Sequence, residues 1–333
     1  MSAVAPLLAV RDLHVSYAAP GHGRLHAVCG VSFELQRGET LAIVGESGSG
    51  KSTIARALVR LTPADSGSAL FDGVDLLQLS GRALQTMRRR VQLIFQDPTS
   101  SLDPRMSVGE SIAEPLRVFE PALPPAERAR RVLAMLQTVG LAAEHLPRLP
   151  HEFSGGQAQR IAIARALILS PHLLVCDEPL SALDVSIKSQ IGNLLKDLQQ
   201  QLQLSLLFIS HDLTAVRFAC DHMLVLYLGR VMEMAPRDAI FARPRHPYTQ
   251  ALLQAVPVPN PTVARARRRK PLEGEIPSPL TPPAGCVFST RCPHAIERCR
   301  SERPRLREFG SSLVACHRVE EIEPLRSDTL EVA

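Results

Sequence analysis

Four short apolar runs punctuate the first 256 residues, and longer segments with helical periodicity separate them. The runs cover residues 41–44, 91–95, 173–176 and 204–209. Unbroken apolar runs of this length are typical of strands covered on both faces, so the pattern predicts a buried sheet with helices on either side. A glycine-rich turn follows the first run, and a helix is predicted from about Ser52.

Other segments predict a second sheet and a helical region. Residues 7–17 and 27–35 have the pattern of antiparallel strands, and Asp72-Gly73 is a typical hairpin turn. Residues 107–148 have a mostly helical pattern interrupted by prolines. The chain is therefore expected to be an α/β protein with an antiparallel part and a helical part.

Composition changes near residue 256, where we place a domain boundary. The chain has 333 residues, and residues 257–333 hold 11 of its 27 prolines and four of its seven cysteines. This length suits one large domain over residues 1–256 and a smaller one over residues 257–333.

The basic excess also belongs to the second part. The formal net charge is +5, and residues 261–310 carry 11 basic and five acidic side chains. The densest cluster, residues 265–270, is either a solvated linker or a contact for anionic lipid headgroups. Nucleic acid is not an expected partner, because tryptophan is absent and aromatic residues make up only 4% of the chain.

The sequence contains no uninterrupted apolar run of 18 residues, so no membrane-spanning helix is predicted. The apolar first ten residues lack the basic region of a secretory signal. We therefore expect the cysteines in a reducing compartment, outside disulfides.

Residues 45–52 fit the phosphate-loop pattern G-x-x-x-x-G-K-[ST] in full. The loop follows a predicted strand and opens a predicted helix, where converging N–H groups and the helix dipole attract phosphate. Lys51 is expected to reach the β- and γ-phosphates of a nucleotide, and Ser52 to hold Mg²⁺. A glycine-rich turn without a ligand is the alternative, and the strand–helix context disfavours it. The expected nucleotide-binding residues here are Gly45, Glu46, Ser47, Gly48, Ser49, Gly50, Lys51, Ser52 and Thr53.

Two carboxylates follow the third apolar run. Asp177, at the end of that predicted strand, suits Mg²⁺ coordination, directly or through water. Glu178 is positioned to act as a general base on an attacking water. An ordinary acidic strand end is the alternative, but a phosphate loop upstream favours the catalytic interpretation.

Ser154-Gly155-Gly156-Gln157 lies 23 positions before Asp177 and opens a predicted helical run over residues 158–169. With the phosphate loop, this segment resembles the nucleotide-binding subunit of ABC transporters over essentially the whole chain. The resemblance implies an ABC-type P-loop NTPase fold: a mixed sheet core, an antiparallel β subdomain, a helical subdomain at about residues 97–165, and here a small Cys-rich carboxyl-terminal extension. It also implies a head-to-tail dimer, in which Ser154 and Gly156 contact the γ-phosphate held by the other chain.

Further family positions match one residue each. The resemblance implies that Gln96 senses Mg²⁺ or water and faces the membrane subunit, that Asp184 lies at the dimer interface, and that His211 contacts the γ-phosphate. It also implies that Tyr17 stacks on adenine, although a tyrosine at a strand end is often only a packing residue.

Residues 96–105, 245–253 and 274–279 resemble the dipeptide and oligopeptide branch of importer ATPases. That branch implies two transmembrane permeases, a second, non-identical ATPase subunit, a peptide-binding protein, and a peripheral place on the cytoplasmic face of the inner membrane. Branch members also import nickel, glycosides or glutathione. A soluble ABC ATPase acting on nucleic acid or ribosomes is a remote alternative. It fits less well because the chain has one phosphate loop and only 103 positions between Lys51 and Ser154.

The cysteines of the second part have the spacing C-x₅-C-x₆-C-x₁₆-C. Four thiolates can hold Zn²⁺ or an iron–sulfur cluster, or the residues can be unligated. The branch resemblance implies a [4Fe–4S] cluster. A metal- or redox-sensing module is a further interpretation, but it leaves the ATPase residues unexplained. The candidate ligands are Cys286, Cys292, Cys299 and Cys316.

Overall fold

The structure is a computed structural model that describes residues 5–21, 23–181, 183–256 and 274–325. The predicted domain boundary borders a segment outside these ranges, and the basic cluster at residues 265–270 lies within that segment. Across the described ranges, no helix is both long and apolar enough to span a bilayer.

The strands alternate with helices over most of the chain. In chain order the strands are β1 (Leu8–Ala19), β2 (Gly23–Leu35), β3 (Thr40–Val44), β4 (Ser66–Phe71), β5 (Val74–Asp75), β6 (Val91–Ile94), β7 (Leu173–Asp177), β8 (Ser205–Ser210), β9 (His222–Tyr227), β10 (Arg230–Pro236), β11 (Arg307–Phe309) and β12 (Ser312–Val314). The α-helices are α1 (Lys51–Leu58), α2 (Gly81–Arg90), α3 (Val108–Phe119), α4 (Pro125–Thr138), α5 (Gly155–Leu167), α6 (Val185–Leu202), α7 (Leu213–Ala219), α8 (Arg237–Ala242), α9 (Pro247–Ala255) and α10 (Glu297–Ser301).

The central sheet is mixed, as the sequence predicts. Its order is β11-β12-β10-β9-β3-β8-β7-β6, with parallel pairing from β9 to β6 and antiparallel pairing from β9 to β11. Every residue of β3, β7 and β8 is buried. The four apolar runs are therefore confirmed as neighbouring strands. β3, β7 and β8 are covered on both faces, whereas β6, at the edge of the sheet, is partly buried.

A separate antiparallel sheet has the order β2-β1-β4-β5, which confirms the antiparallel part. Asp72 and Gly73 join β4 to β5 with φ angles of 49° and 78°, the conformation of a two-residue hairpin turn. The apolar face of α1 is buried in a core shared with both sheets. The helix that follows the phosphate loop is therefore packed between the two sheets.

The helical pattern of residues 107–148 resolves into α3 and α4 with short 3₁₀ turns beyond them. Ser107 begins α3 with a capping box, in which its side chain accepts from the N–H of Glu110 and the Glu110 carboxylate accepts from the N–H of Ser107. Both helices pack on α5. Residues 154–157, which we call the signature segment, lie at the start of α5 and are therefore fixed to the helical part.

The Cys-rich extension joins the main sheet and the main core. β12 pairs with β10 through Glu233–Val314 and Met234–Leu313. Phe288 is fully buried in the same apolar cluster that contains the helical part. The first part of the chain and the extension are thus built around a common sheet.

Candidate functional site

The phosphate loop connects β3 to α1 and packs closely against the backbone of β2 and of the turn between β9 and β10. The N–H of Gly229, in the turn between β9 and β10, donates to the carbonyl of Ser49 at 2.8 Å. Gly50 has a φ of 103°, and a Cβ there would lie 2.2 Å from the carbonyl oxygen of Ala27. Since Gly50 has no side chain to cap α1, the first-turn N–H groups are left for an anion.

Lys51 lies inside the loop and is only 4% exposed. Its Nζ donates to the carbonyls of Gly45 at 2.8 Å and Glu46 at 2.9 Å. Burial lowers the pKa of Lys51, and the nearby carboxylates of Glu178 and Asp177 oppose that shift. The ammonium group is therefore held over the loop by carbonyls that a phosphate group can replace as its partners.

Ser52 and Asp177 are brought together as the sequence predicts. The Ser52 hydroxyl donates to Asp177 Oδ1 at 2.7 Å. Burial raises the pKa of Asp177, and the neighbouring Glu178 adds to the rise, while the Ser52 hydrogen bond opposes it. A hydroxyl and a carboxylate are hard oxygen donors of the kind Mg²⁺ prefers, so the pair fits that ion.

Two predicted residues, Gln96 and His211, converge on a third, Glu178, which directly follows β7. Gln96 Nε2 donates to Glu178 Oε2 at 2.9 Å, and His211 Nδ1 lies 3.3 Å from the same oxygen. Glu178 has a φ of 49°, a left-handed conformation that costs energy and is common where function requires it. A carboxylate held between an amide and an imidazole can orient a water molecule and take its proton.

Tyr17 is placed beside the phosphate-loop helix. Its hydroxyl donates to Thr53 Oγ1 at 3.2 Å. This contact brings the expected adenine-stacking residue next to the first turn of α1.

The signature residues form the start of α5. The Ser154 side chain accepts from the N–H of Gln157, and the Gln157 side chain accepts from the N–H of Ser154. Gly156 is packed so closely that a Cβ would lie 2.6 Å from Ile187, and the exposed Asp184 is the N-cap residue of α6. Among the described residues, no hydrogen bond links the signature to the phosphate loop of the same chain.

Sequence reasoning missed two contacts to the loop residue Glu46. The N–H of Glu46 donates to the Tyr248 hydroxyl at 3.0 Å, and the Glu46 carboxylate pairs with Arg291. Tyr248 lies in residues 245–253, which carry the branch resemblance, and Arg291 lies in the Cys-rich extension that the same branch implies. That resemblance was the available signal, but it gave them no role in the site.

The four extension cysteines line one small cavity together with His246, His294 and His317. Burial, with a smaller contribution from neighbouring thiols, raises the pKa of Cys286 to about 11 and that of Cys292 to about 12. Across the described ranges, no three His, Cys, Asp or Glu side chains are arranged to hold a metal ion. The donor chemistry suits a metal cluster, but the side chains are not preassembled as a ligand set.

Two families match this chain, and the second match begins at residue 232, before the predicted boundary near residue 256. The family "ABC transporter" matches residues 28–181, and the family "Oligopeptide/dipeptide transporter, C-terminal region" matches residues 232–299. The oligopeptide transport ATP-binding protein OppF of Salmonella typhimurium is 51% identical over 296 residues, 89% of each chain. The di/tripeptide transport ATP-binding protein DppF of Pseudomonas aeruginosa is 50% identical over 322 residues, 95% of this chain and 98% of that one.

Solved structures share the architecture. A dimeric ATP-binding cassette in a post-hydrolysis state, bound to ADP and Pi, is 29% identical with a TM-score of 0.64, covering 69% of this chain and 98% of that chain. CbiO1 of Clostridium perfringens, part of an ABC transporter complex, is 30% identical with a TM-score of 0.64, covering 71% of this chain and 90% of that one.

The contacts of the loop glycines predict unequal tolerance to alanine. Gly50→Ala should lower the free energy of unfolding by about 3 kcal/mol, because it combines left-handed strain with overlap against the Ala27 carbonyl. Gly48→Ala should cost only about 1 kcal/mol, because its φ of 78° is strained but its Cβ meets open space. Urea unfolding without nucleotide measures both values, and equal losses would contradict this packing of the loop.

Proposed function

This chain belongs to the family of ATP-hydrolysing ATP-binding proteins of ABC peptide importers, and we propose that it uses ATP to drive uptake of dipeptides or oligopeptides across the cytoplasmic membrane. Its relatives named for peptide transport match nearly the whole chain, including the extension. The observation that carries the catalytic part is the convergence of Gln96 and His211 on Glu178, beside the Ser52–Asp177 pair.

The residues divide the work of hydrolysis. Lys51 and the first-turn N–H groups of α1 bind the nucleotide phosphates, and Tyr17 stacks on adenine. Ser52 and Asp177, with Gln96, would hold Mg²⁺, which supplies charge neutralisation at the phosphates. Glu178 takes the proton of the attacking water. Gln96 and His211 lie against that carboxylate, and His211 contacts the γ-phosphate.

The site is completed by a second ATPase chain. We propose that Ser154, Gly155, Gly156 and Gln157 of one chain face the nucleotide held by the other, with Asp184 at the interface. The support is geometric: the signature opens a helix whose N-terminus is exposed at Ser154 and Gly155. We propose a non-identical partner, two permeases contacted through the segment after Gln96, and a peptide-binding protein. Because the permeases lie in the membrane, we propose that the chain binds peripherally on the cytoplasmic face of the inner membrane.

Glu178→Gln should abolish steady-state ATP hydrolysis, because the amide keeps the shape of the side chain but cannot accept the proton. Binding of Mg–ATP should persist, and in the presence of the partner ATPase chain the ATP-bound dimer should accumulate in size-exclusion chromatography. Glu127→Gln, which alters a carboxylate on α4 that pairs with Arg130 and Arg131, is the control and should hydrolyse ATP normally. Normal turnover by Glu178→Gln would refute the base assignment.

Co-expression with the two permeases tests the transport function. The chain should co-purify with them, and a dipeptide-loaded binding protein should stimulate ATP hydrolysis of the reconstituted complex. The Glu178→Gln complex should assemble without stimulation. Stimulation by nickel, a glycoside or glutathione instead of peptide would reassign the cargo, and failure to assemble would contradict an importer.

We further propose that Cys286, Cys292, Cys299 and Cys316 hold a [4Fe–4S] cluster. The support for this proposal is that all four cysteines line one cavity. Loading the cluster would require deprotonation of the four thiols and movement of their sulfur atoms toward one another.

Anaerobically purified protein should absorb near 400 nm and contain about four iron atoms per chain. Cys292→Ser should lose this iron, whereas the control Cys29→Ser, outside the extension, should keep it. Zinc in place of iron would identify a zinc site, and a folded protein without either metal would contradict ligation altogether.

A further inference from the structure

One ion pair joins the Cys-rich extension to the phosphate loop. Arg291 Nη1 lies 2.7 Å from Glu46 Oε2, and Arg291 Nη2 lies 3.1 Å from Glu46 Oε1. The pair is therefore bidentate, the strongest arrangement of an arginine and a carboxylate. It is also shielded, because the side chains of Arg291 and Glu46 are only 7% and 25% exposed.

Aromatic residues hold this pair in place. Arg291 Nη1 also donates to the Tyr227 hydroxyl at 3.3 Å, and the Tyr227 ring packs on Tyr248 with 4.7 Å between centroids. The Tyr248 hydroxyl accepts the backbone N–H of Glu46. Phe288 contacts both tyrosine rings. Glu46 is thus fixed at its backbone and at its carboxylate by groups outside the loop.

The negative charge on Glu46 makes its pairing with Arg291 important for nucleotide binding. The loop is built to receive a polyanion, and a carboxylate within it repels phosphate. Arg291 neutralises this carboxylate from the side of the extension. Removing one partner of a shielded ion pair leaves the other charge uncompensated, and here that charge would oppose nucleotide binding.

We propose that Arg291 is a positioning residue for the phosphate loop, so that the carboxyl-terminal extension sets the affinity of this chain for nucleotide. Arg291 acts through Glu46 and has no required contact with the nucleotide. The inference rests on the ATP-binding function, but it does not depend on the cargo or on a metal cluster in the extension.

The first test measures the effect of breaking the pair in the full-length chain. Arg291→Met should raise the Kd for Mg–ADP and the KM for Mg–ATP by about tenfold, with kcat within about twofold, the binding loss expected for a half-shielded unpaired carboxylate. Arg291→Lys should show a smaller loss, because lysine keeps the charge but not the bidentate geometry. The control is Arg298→Met, which breaks an ion pair with Glu302 inside the extension and should change neither constant.

A second-site variant separates the electrostatic role from a merely structural one. Adding Glu46→Gln to Arg291→Met removes the unpaired charge and should return the Kd for Mg–ADP to within about threefold of wild type. An unchanged Kd in Arg291→Met would overturn the proposal. So would a double variant that binds as weakly as Arg291→Met alone.

Folding and catalytic failures are distinguishable from these outcomes. If Arg291→Met does not fold, the neutral and more polar Arg291→Gln, with and without Glu46→Gln, provides the same comparison, and rescue is again required. Since Mg–ADP binding needs no turnover, a wild-type chain that binds ADP but does not hydrolyse ATP would contradict the proposed function while leaving this test intact.

Discussion

The site depends on the parallel alignment of four neighbouring strands. In the register of the central sheet, the last residue of β3, Val44, pairs with the last residue of β8, Ser210. The end of β7 pairs in the same way with the end of β8, through Asp177 and Ile209. The end of β6 pairs with β7, through Ile94 and Cys176. The carboxyl ends of these strands therefore lie at one edge of the sheet. The phosphate loop, the two carboxylates, His211 and Gln96 each follow or end one of these strands, so a single backbone alignment assembles groups that are far apart in sequence.

The sequence was sufficient for the parts of this arrangement that repeat a local pattern. Unbroken apolar runs predicted β3, β6, β7 and β8, and the glycine-rich motif predicted the phosphate loop between a strand and a helix. The predicted helix starts moved by one to three residues, because α1 begins at Lys51 and α5 at Gly155. These differences arise where helix termini are decided by hydrogen bonds, such as the mutual capping of Ser154 and Gln157.

The contacts that escaped sequence reasoning are long-range ones. β11 and β12 are three residues each, too short for a strand pattern, and they form because β10 offers an open edge about 80 residues earlier. Arg291 and Glu46 are 245 positions apart. Tyr248 is also held by a long-range contact, because α9, which carries it, is anchored by Glu233 of β10. The fully buried Glu233 carboxylate accepts the N–H groups of Arg245 and His246 just before α9. Burial raises the pKa of Glu233, and those hydrogen bonds oppose the rise. Hydrophobic periodicity along the chain does not predict long-range polar contacts of this kind.

The pairing of β12 with β10 has a consequence for how this protein can be divided. A fragment ending near residue 256 would leave the β10 edge with unpaired backbone groups and would uncover the apolar surface that Val287 and Phe288 bury. An open edge beside exposed apolar surface is a template for association between molecules. The smallest unit that keeps β10 paired and this apolar surface covered therefore includes β12 of the extension and is longer than the segment that carries the ATPase motifs.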